Sequence, residues 1–115
     1  MIYKGGCHCG RIAFEVEGDL QGVVQCNCSI CTKRGYLLWF VPRQQLQLLT
    51  KEKDLSTYTF NTHKIKHRFC SKCGCGPFGE GLDKTGASMA AVNVRCLEGV
   101  DFAKLKITPF DGRSL

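Results

Sequence analysis

Nine of the 115 residues are cysteine, and eight of the nine fall into three tight clusters: Cys7 with Cys9, Cys26 with Cys28 and Cys31, and Cys70 with Cys73 and Cys75. Cys96 stands alone. A chain this rich in thiols is tied together either by disulfides or by metal. An odd count fits a disulfide framework poorly. Residues 1–6 run straight into Cys7 without the apolar stretch of a secretory signal. The longest apolar run, residues 36–41, is too short to cross a bilayer. These features point to a cytoplasmic protein whose thiols stay reduced and bind metal.

The central cluster, Cys26-Asn27-Cys28-Ser29-Ile30-Cys31, puts three thiols within six residues. They can take three corners of one tetrahedral zinc, and no fourth cysteine or histidine lies beside them. Structural zinc sites normally close with four protein ligands, whereas catalytic sites keep three and leave a position open. Cys26, Cys28 and Cys31 are therefore the expected catalytic group. A second, closed zinc site is expected from two knuckles distant in sequence. Cys7 and Cys9, flanked by glycines, would pair with Cys70 and Cys73 of the CxxCG knuckle. A rival arrangement joins Cys28 and Cys31 to Cys70 and Cys73 as a split ribbon, which would strand Cys7 and Cys9. Cys75 is too close to Cys73 for both to bind one zinc comfortably, so it is free to turn toward the triplet. Cys96 reads as a small core residue, and His8 as part of a turn.

The rest of the pattern is one mainly β domain over residues 1–115. Ile12, Phe14 and Val16 alternate with Arg11, Glu15 and Glu17 as in a half-buried strand. Further strands are expected at residues 22–25, 36–41 (limited by Pro42), 88–95 and 105–110, with the last two separated by a turn at 98–101. Residues 43–49 are ambiguous, although Leu46 and Leu48 alternate. Residues 29–33 predict one helical turn, which Gly35 ends. Residues 51–54 form a charged turn. From Leu55 to Phe69 the period is two, which lines His63 and His67 up with Ile65 and Phe69. The same period gathers Lys64, Lys66 and Arg68 into a basic strip. Gly79, Gly81 and Gly86 predict a loop around Asp83. Trp39 is expected in the core.

The formal charge is +6. Four thiolates on one zinc and three on another lower the loaded protein to about +3, because such ligands bind deprotonated. That surplus suits a small anionic substrate as well as it suits nucleic acid.

Three ordered motifs carry a resemblance: Gly6-Cys7-His8-Cys9-Gly10, Cys26-Asn27-Cys28-Ser29-Ile30-Cys31 and Phe69-Cys70-Ser71-Lys72-Cys73-Gly74. Together they resemble the glutathione-dependent formaldehyde-activating enzyme family, which includes centromere protein V. Residues 58–64 resemble the centromere protein V branch. Residues 92–97 and Phe110-Asp111-Gly112-Arg113 resemble bacterial aldehyde-activating members. The resemblance implies an Mss4-like (β-tent) fold. It also implies two zinc ions: a structural one on Cys7, Cys9, Cys70 and Cys73, and a catalytic one on Cys26, Cys28 and Cys31. The implied reaction joins the glutathione thiol to formaldehyde as S-hydroxymethylglutathione, a carbon–sulfur lyase step run backwards.

Formaldehyde is already a good electrophile, so catalysis needs chiefly a supplied thiolate and held partners. Lys33 and Arg34, directly after the triplet, are candidates to receive the carboxylates of glutathione. Arg95, in an otherwise apolar strand, is a third. The expected partners are thus a small thiol and an aldehyde, with no membrane and no nucleic acid. Two non-enzymatic readings compete: a zinc-stabilised binding module and a zinc-thiolate redox sensor. The module reading calls for a basic tail, which is not expected here.

Overall fold

The computed structural model describes residues 1–114. Two sheets enclose one core. The smaller sheet is antiparallel, in the order β1 (Ile2–Gly6), β2 (Ala13–Glu17), β5 (Leu46–Leu48). The larger has seven strands in the order β10 (Lys106–Phe110), β3 (Gly22–Cys26), β4 (Leu38–Pro42), β9 (Ser88–Asn93), β8 (Phe78–Leu82), β7 (Lys66–Cys70), β6 (Leu55–Tyr58). Its neighbours are antiparallel except β10, which lies parallel to β3. The expected mainly β class holds. Among the described residues no helix is long and apolar enough to cross a membrane.

Alternation in sequence decides which side of each strand is dry. Phe14 and Val16 of β2 are fully buried, and they meet Trp39, Val41, Phe78, Ala90 and Val92 from the larger sheet. The Phe14 and Phe78 rings pack edge to face at 5.8 Å, and Tyr3 packs on Trp39 at 5.6 Å. Burying a side chain such as Phe14 is worth about 2–3 kcal/mol.

The other face of the larger sheet is open. Pairing registers place Phe40, Ala91, Gly79 and His67 in one row across β4, β9, β8 and β7. The single α-helix among the described residues, α1 (Ser29–Arg34), closes one end of this face. Ile30 and Cys31 of α1 cluster there with Leu38. Gly35 caps the helix in the left-handed region at φ 67°, a conformation glycine adopts without cost, and its N–H bonds the Cys31 carbonyl.

Four sequence expectations need correction. Residues 55–69 are a hairpin rather than one strand. Asn61 and His63 both take positive φ of 57°, the His63 N–H bonds the Phe60 carbonyl, and the His63 ring bonds the Thr59 hydroxyl. The turn contains neither glycine nor proline, so a period-two reading runs straight through it. His63 therefore leaves the strand face that His67 occupies.

The basic strip dissolves with it. Arg68 points into the core face at 8% exposure and pairs with Glu80 and Glu52, each at 2.8 Å. Gly79 and Gly81 belong to strand β8, and the loop is confined to residues 83–87, where Asp83 accepts from the backbone of Thr85 and Ala87. Finally, β9 stops at Asn93, whose side chain accepts the Arg95 N–H and starts a 3-10 turn over Val94–Cys96. Arg95 thus sits in an exposed turn, not in an apolar strand.

Candidate metal centres and the adjoining cavity

Cys7 and Cys9 ride on the β1–β2 turn, Cys70 ends β7, and Cys73 follows in the knuckle. The fold brings these four thiols together with all sulfurs within 4.8 Å of one another. Cys9 Sγ lies 3.6 Å from the sulfurs of both Cys7 and Cys70. A tetrahedron with zinc–sulfur bonds of 2.3 Å has sulfur–sulfur edges of about 3.8 Å, so the donor set fits a thiolate-bound metal.

Backbone amides support the negative charge. Ile12 N donates to Cys7 Sγ at 3.3 Å, and the amides of Lys72 and Cys73 donate to Cys70 Sγ at 3.4 and 3.5 Å. The N–H groups of Cys75 and Cys9 hold the Cys73 thiol down at about 5. The Cys70 thiol is also lowered: its burial opposes this, and the amides of Cys73 and Lys72 outweigh it.

The other two thiols of the chain gather on this same side. Cys75 receives the His8 N–H and lies close to Cys73, and burial pushes Cys96 up to about 11 beside Cys75 and Cys7. Cys96 Sγ also lies 3.7 Å from Asn93 Nδ2 and 3.9 Å from the Gly76 carbonyl. Cys75 therefore does not turn toward the triplet.

The second group is Cys26, Cys28 and Cys31, again within 4.8 Å of one another. Among the described residues no fourth histidine, cysteine or carboxylate joins it. The split ribbon is not formed, because Cys28 and Cys31 sit apart from Cys70 and Cys73. Cys26 ends β3, Cys28 is the N-cap of α1 and Cys31 lies in its first turn. Cys28 N donates to Cys26 Sγ at 3.4 Å. Burial alone would raise the Cys28 thiol; the Cys31 amide and the thiols of Cys31 and Cys26 outweigh it and lower it. Burial, then the neighbouring Cys28, pushes Cys31 well up.

Residues 110–113 clasp this triplet. The Asn27 backbone N–H bonds the Phe110 carbonyl at 3.1 Å, and its side chain bonds Asp111 and the Arg113 N–H, both at 2.9 Å. A Cβ on Gly112 would stand 2.7 Å from Cys26 Sγ. Reading the sequence for function missed Asn27, Asp111, Gly112 and Arg113 as site residues. The one available signal was Phe110-Asp111-Gly112-Arg113, noted for its resemblance alone.

Three hollows reach the sulfurs. An apolar cavity of about 400 Å³ on the open sheet face ends at Cys28 and Cys31. A groove of about 470 Å³ passes Cys26, Cys31, Tyr36 and Asp111. A third of about 420 Å³ passes Cys28 and is flanked by Lys33, Asn61 and Arg113.

Of the expected cations, Lys33 is thus at the triplet. Arg34 is engaged elsewhere: it donates to the Tyr36 hydroxyl at 2.8 Å and lies over the rings of Tyr58 and Phe69 at 5.9 and 5.6 Å. Arg95 stacks on Phe102 at 5.4 Å and lines none of the three hollows. His67 lines the apolar cavity, where burial and then Arg34 lower its pKa and favour the neutral ring.

The profile of the glutathione-dependent formaldehyde-activating enzyme family matches residues 2–109. The chain belongs to that family. A similar solved structure is the crystal structure of a Rhodobacter sphaeroides protein determined as a structural genomics target. It is 32% identical, with a TM-score of 0.79 over 92% of this chain and 97% of that one. Family membership suggests glutathione-dependent formaldehyde activation, and the two thiol groups are ones that could hold metal ions.

Proposed function

We propose that this family member is a zinc-dependent enzyme of the carbon–sulfur lyase type. It forms or cleaves the adduct between glutathione, or a similar thiol, and formaldehyde or another aldehyde. The observation that carries the reading is a three-thiol group without a fourth protein ligand among the described residues, reached from three hollows. Cys7, Cys9, Cys70 and Cys73 would hold a structural zinc within an Mss4-like fold. Cys26, Cys28 and Cys31 would hold the catalytic one. When bound there, the metal supplies a position at which a thiol loses its proton readily near neutral pH.

The chain's own groups do the holding. Lys33 and Arg113 flank the groove beside Cys28 and are placed to pair with the carboxylates of a peptide thiol. Tyr36 Oη already accepts from Arg34, so its own proton is directed elsewhere, and Tyr36 lines two of the hollows next to Cys31. It is the proposed donor to the aldehyde oxygen. Adduct formation is balanced: a sulfur–carbon bond forms as the carbonyl π bond opens, Tyr36 protonates the oxygen, and the proton released by the thiol restores Tyr36. Holding the partners together supplies much of the effect. Such chemistry needs reduced thiols, as a cytoplasmic location provides.

Exchange spectroscopy by NMR on glutathione with formaldehyde tests the reading. Zinc-loaded protein should accelerate exchange, and Cys28→Ser should abolish the acceleration while lowering zinc content. A background rate with both zincs in place would leave a binding module. Zinc loss under mild peroxide, reversed by thiol, would mark a sensor.

A further inference from the structure

The apolar cavity is far too large for the aldehyde that gives the family its name. At the roughly 30 Å³ per small molecular unit of a liquid, the two heavy atoms of formaldehyde need roughly 60 Å³. The cavity offers about 400 Å³ and ends at Cys28 and Cys31. Its lining includes Leu38, Phe40, Ile65, Leu82 and Met89, with His67 and Asn93 among the polar residues. Phe40, Ile65 and Leu82 are all more than half exposed, at 52%, 55% and 72%. Glutathione, charged at both ends, gains nothing from such a lining, and the groove of Lys33 and Arg113 is a separate hollow that shares only Cys28 with it.

The floor is kept clear by missing side chains. Gly79 and Gly81 lie within strand β8, where neither has a positive φ. Glycine weakens a strand interior, and it is found there where something else approaches the backbone closely. Neither glycine is required by its neighbours: a Cβ would come no closer than 3.5 Å at Gly79 and 3.6 Å at Gly81, ordinary contact distances. By register, Gly79 lies between Ala91 and His67 on the open face. Small residues in the middle with large apolar ones around them describe a slot for a flat or linear hydrocarbon group.

We infer that the aldehyde partner carries an apolar tail of about five or more carbons. The tail lies over Gly79 and Ala91, and its carbonyl carbon meets the thiol beside Cys28 and Cys31. This rests on the thiol–aldehyde reading above. The step remains a balanced addition: the thiol sulfur bonds the carbonyl carbon, the π bond opens, and the thiol proton ends on oxygen. No oxidant or reductant is required.

The test compares hexanal with formaldehyde, each with glutathione and zinc-loaded protein, by exchange NMR. Each rate is expressed as enhancement over its own uncatalysed exchange. Hexanal should be enhanced at least about tenfold more, the floor set by the worth of one methylene in an apolar pocket. Gly79→Val suits a strand and fills the slot, so it should erase most of that advantage and keep the wild-type melting temperature. In parallel, hexanol should shift the amide signals of Gly79, Gly81 and Ala91 in the wild type and not in Gly79→Val. Enhancement of formaldehyde equal to or above that of hexanal overturns the inference and leaves the thiol–aldehyde reading standing. Enhancement of neither overturns both. A dimer in sedimentation that covers Phe40 and Leu82, with no shift from hexanol, also overturns it by giving the face to a second copy.

Discussion

Arg68 is a cation buried at the edge of the core, held between Glu80 and Glu52, while Glu80 also receives Arg43 Nε at 2.7 Å. Removing Glu80 leaves Arg68 with Glu52 alone and Arg43 without its carboxylate, a loss of about 1.5–3 kcal/mol for charge-assisted hydrogen bonds. Glu80→Ala should therefore lower the urea midpoint by that equivalent without changing zinc content. The same carboxylate gives a pH signature. Burial pushes its pKa up, but Arg43 and Arg68 outweigh burial and hold it below the ordinary value. Its stabilising contribution is full above the unfolded carboxylate pKa and is lost as pH falls through the lower folded one. Wild type should then lose more stability than Glu80→Gln on acidification below about pH 5, with urea melts at each pH as the readout. None of this was legible in the sequence. Arg68 stands in a run of basic residues, and nothing local distinguishes the one that turns inward.

At the scale of elements, α1 and residues 110–113 build the second thiol group from segments far apart in sequence. The helical turn and its Gly35 cap were legible, because the capping glycine acts on its own neighbours. The clasp was not, because its hydrogen bonds from Asn27 to Phe110 and Asp111 span more than eighty residues. The hairpin at residues 59–65 was hidden for a different reason. Asn61 and His63 adopt the left-handed region without the glycine that normally announces it. Gly112→Ala should push a methyl group against Cys26 Sγ. Native mass spectrometry should then find one zinc fewer than in the wild type, with the melting temperature shifted by no more than a few degrees.

For the whole molecule, the first thiol group is the fastener between the two sheets, since Cys7 and Cys9 come from the smaller and Cys70 from the larger. Metal bound by such a group is folding free energy. Cys70→Ser should lower the melting temperature by more than about 10 °C, as a loss of only a few kcal/mol suffices in a domain this size. Cys26→Ser should keep the fold and one zinc. The grouping of seven thiols into a set of four and a set of three was readable from cysteine spacing. Spacing ranked the pairing of Cys7 and Cys9 with Cys70 and Cys73 first but did not exclude the ribbon, because only the folded path of β7 brings the distant knuckles together.

The parallel strand β10 carries a consequence for the order of assembly. During synthesis the residues of β1 to β9 emerge first, and the fastening thiol group at Cys70 and Cys73 can close while later segments are still being made. The triplet is different. Its three sulfurs emerge about eighty residues before the strand and clasp that enclose them, residues 106–113. Between those moments the triplet is exposed, reactive and without its cover. A nascent chain should therefore be vulnerable at Cys26, Cys28 and Cys31 to scavenging by stray metals or electrophiles, aldehydes included, until β10 docks.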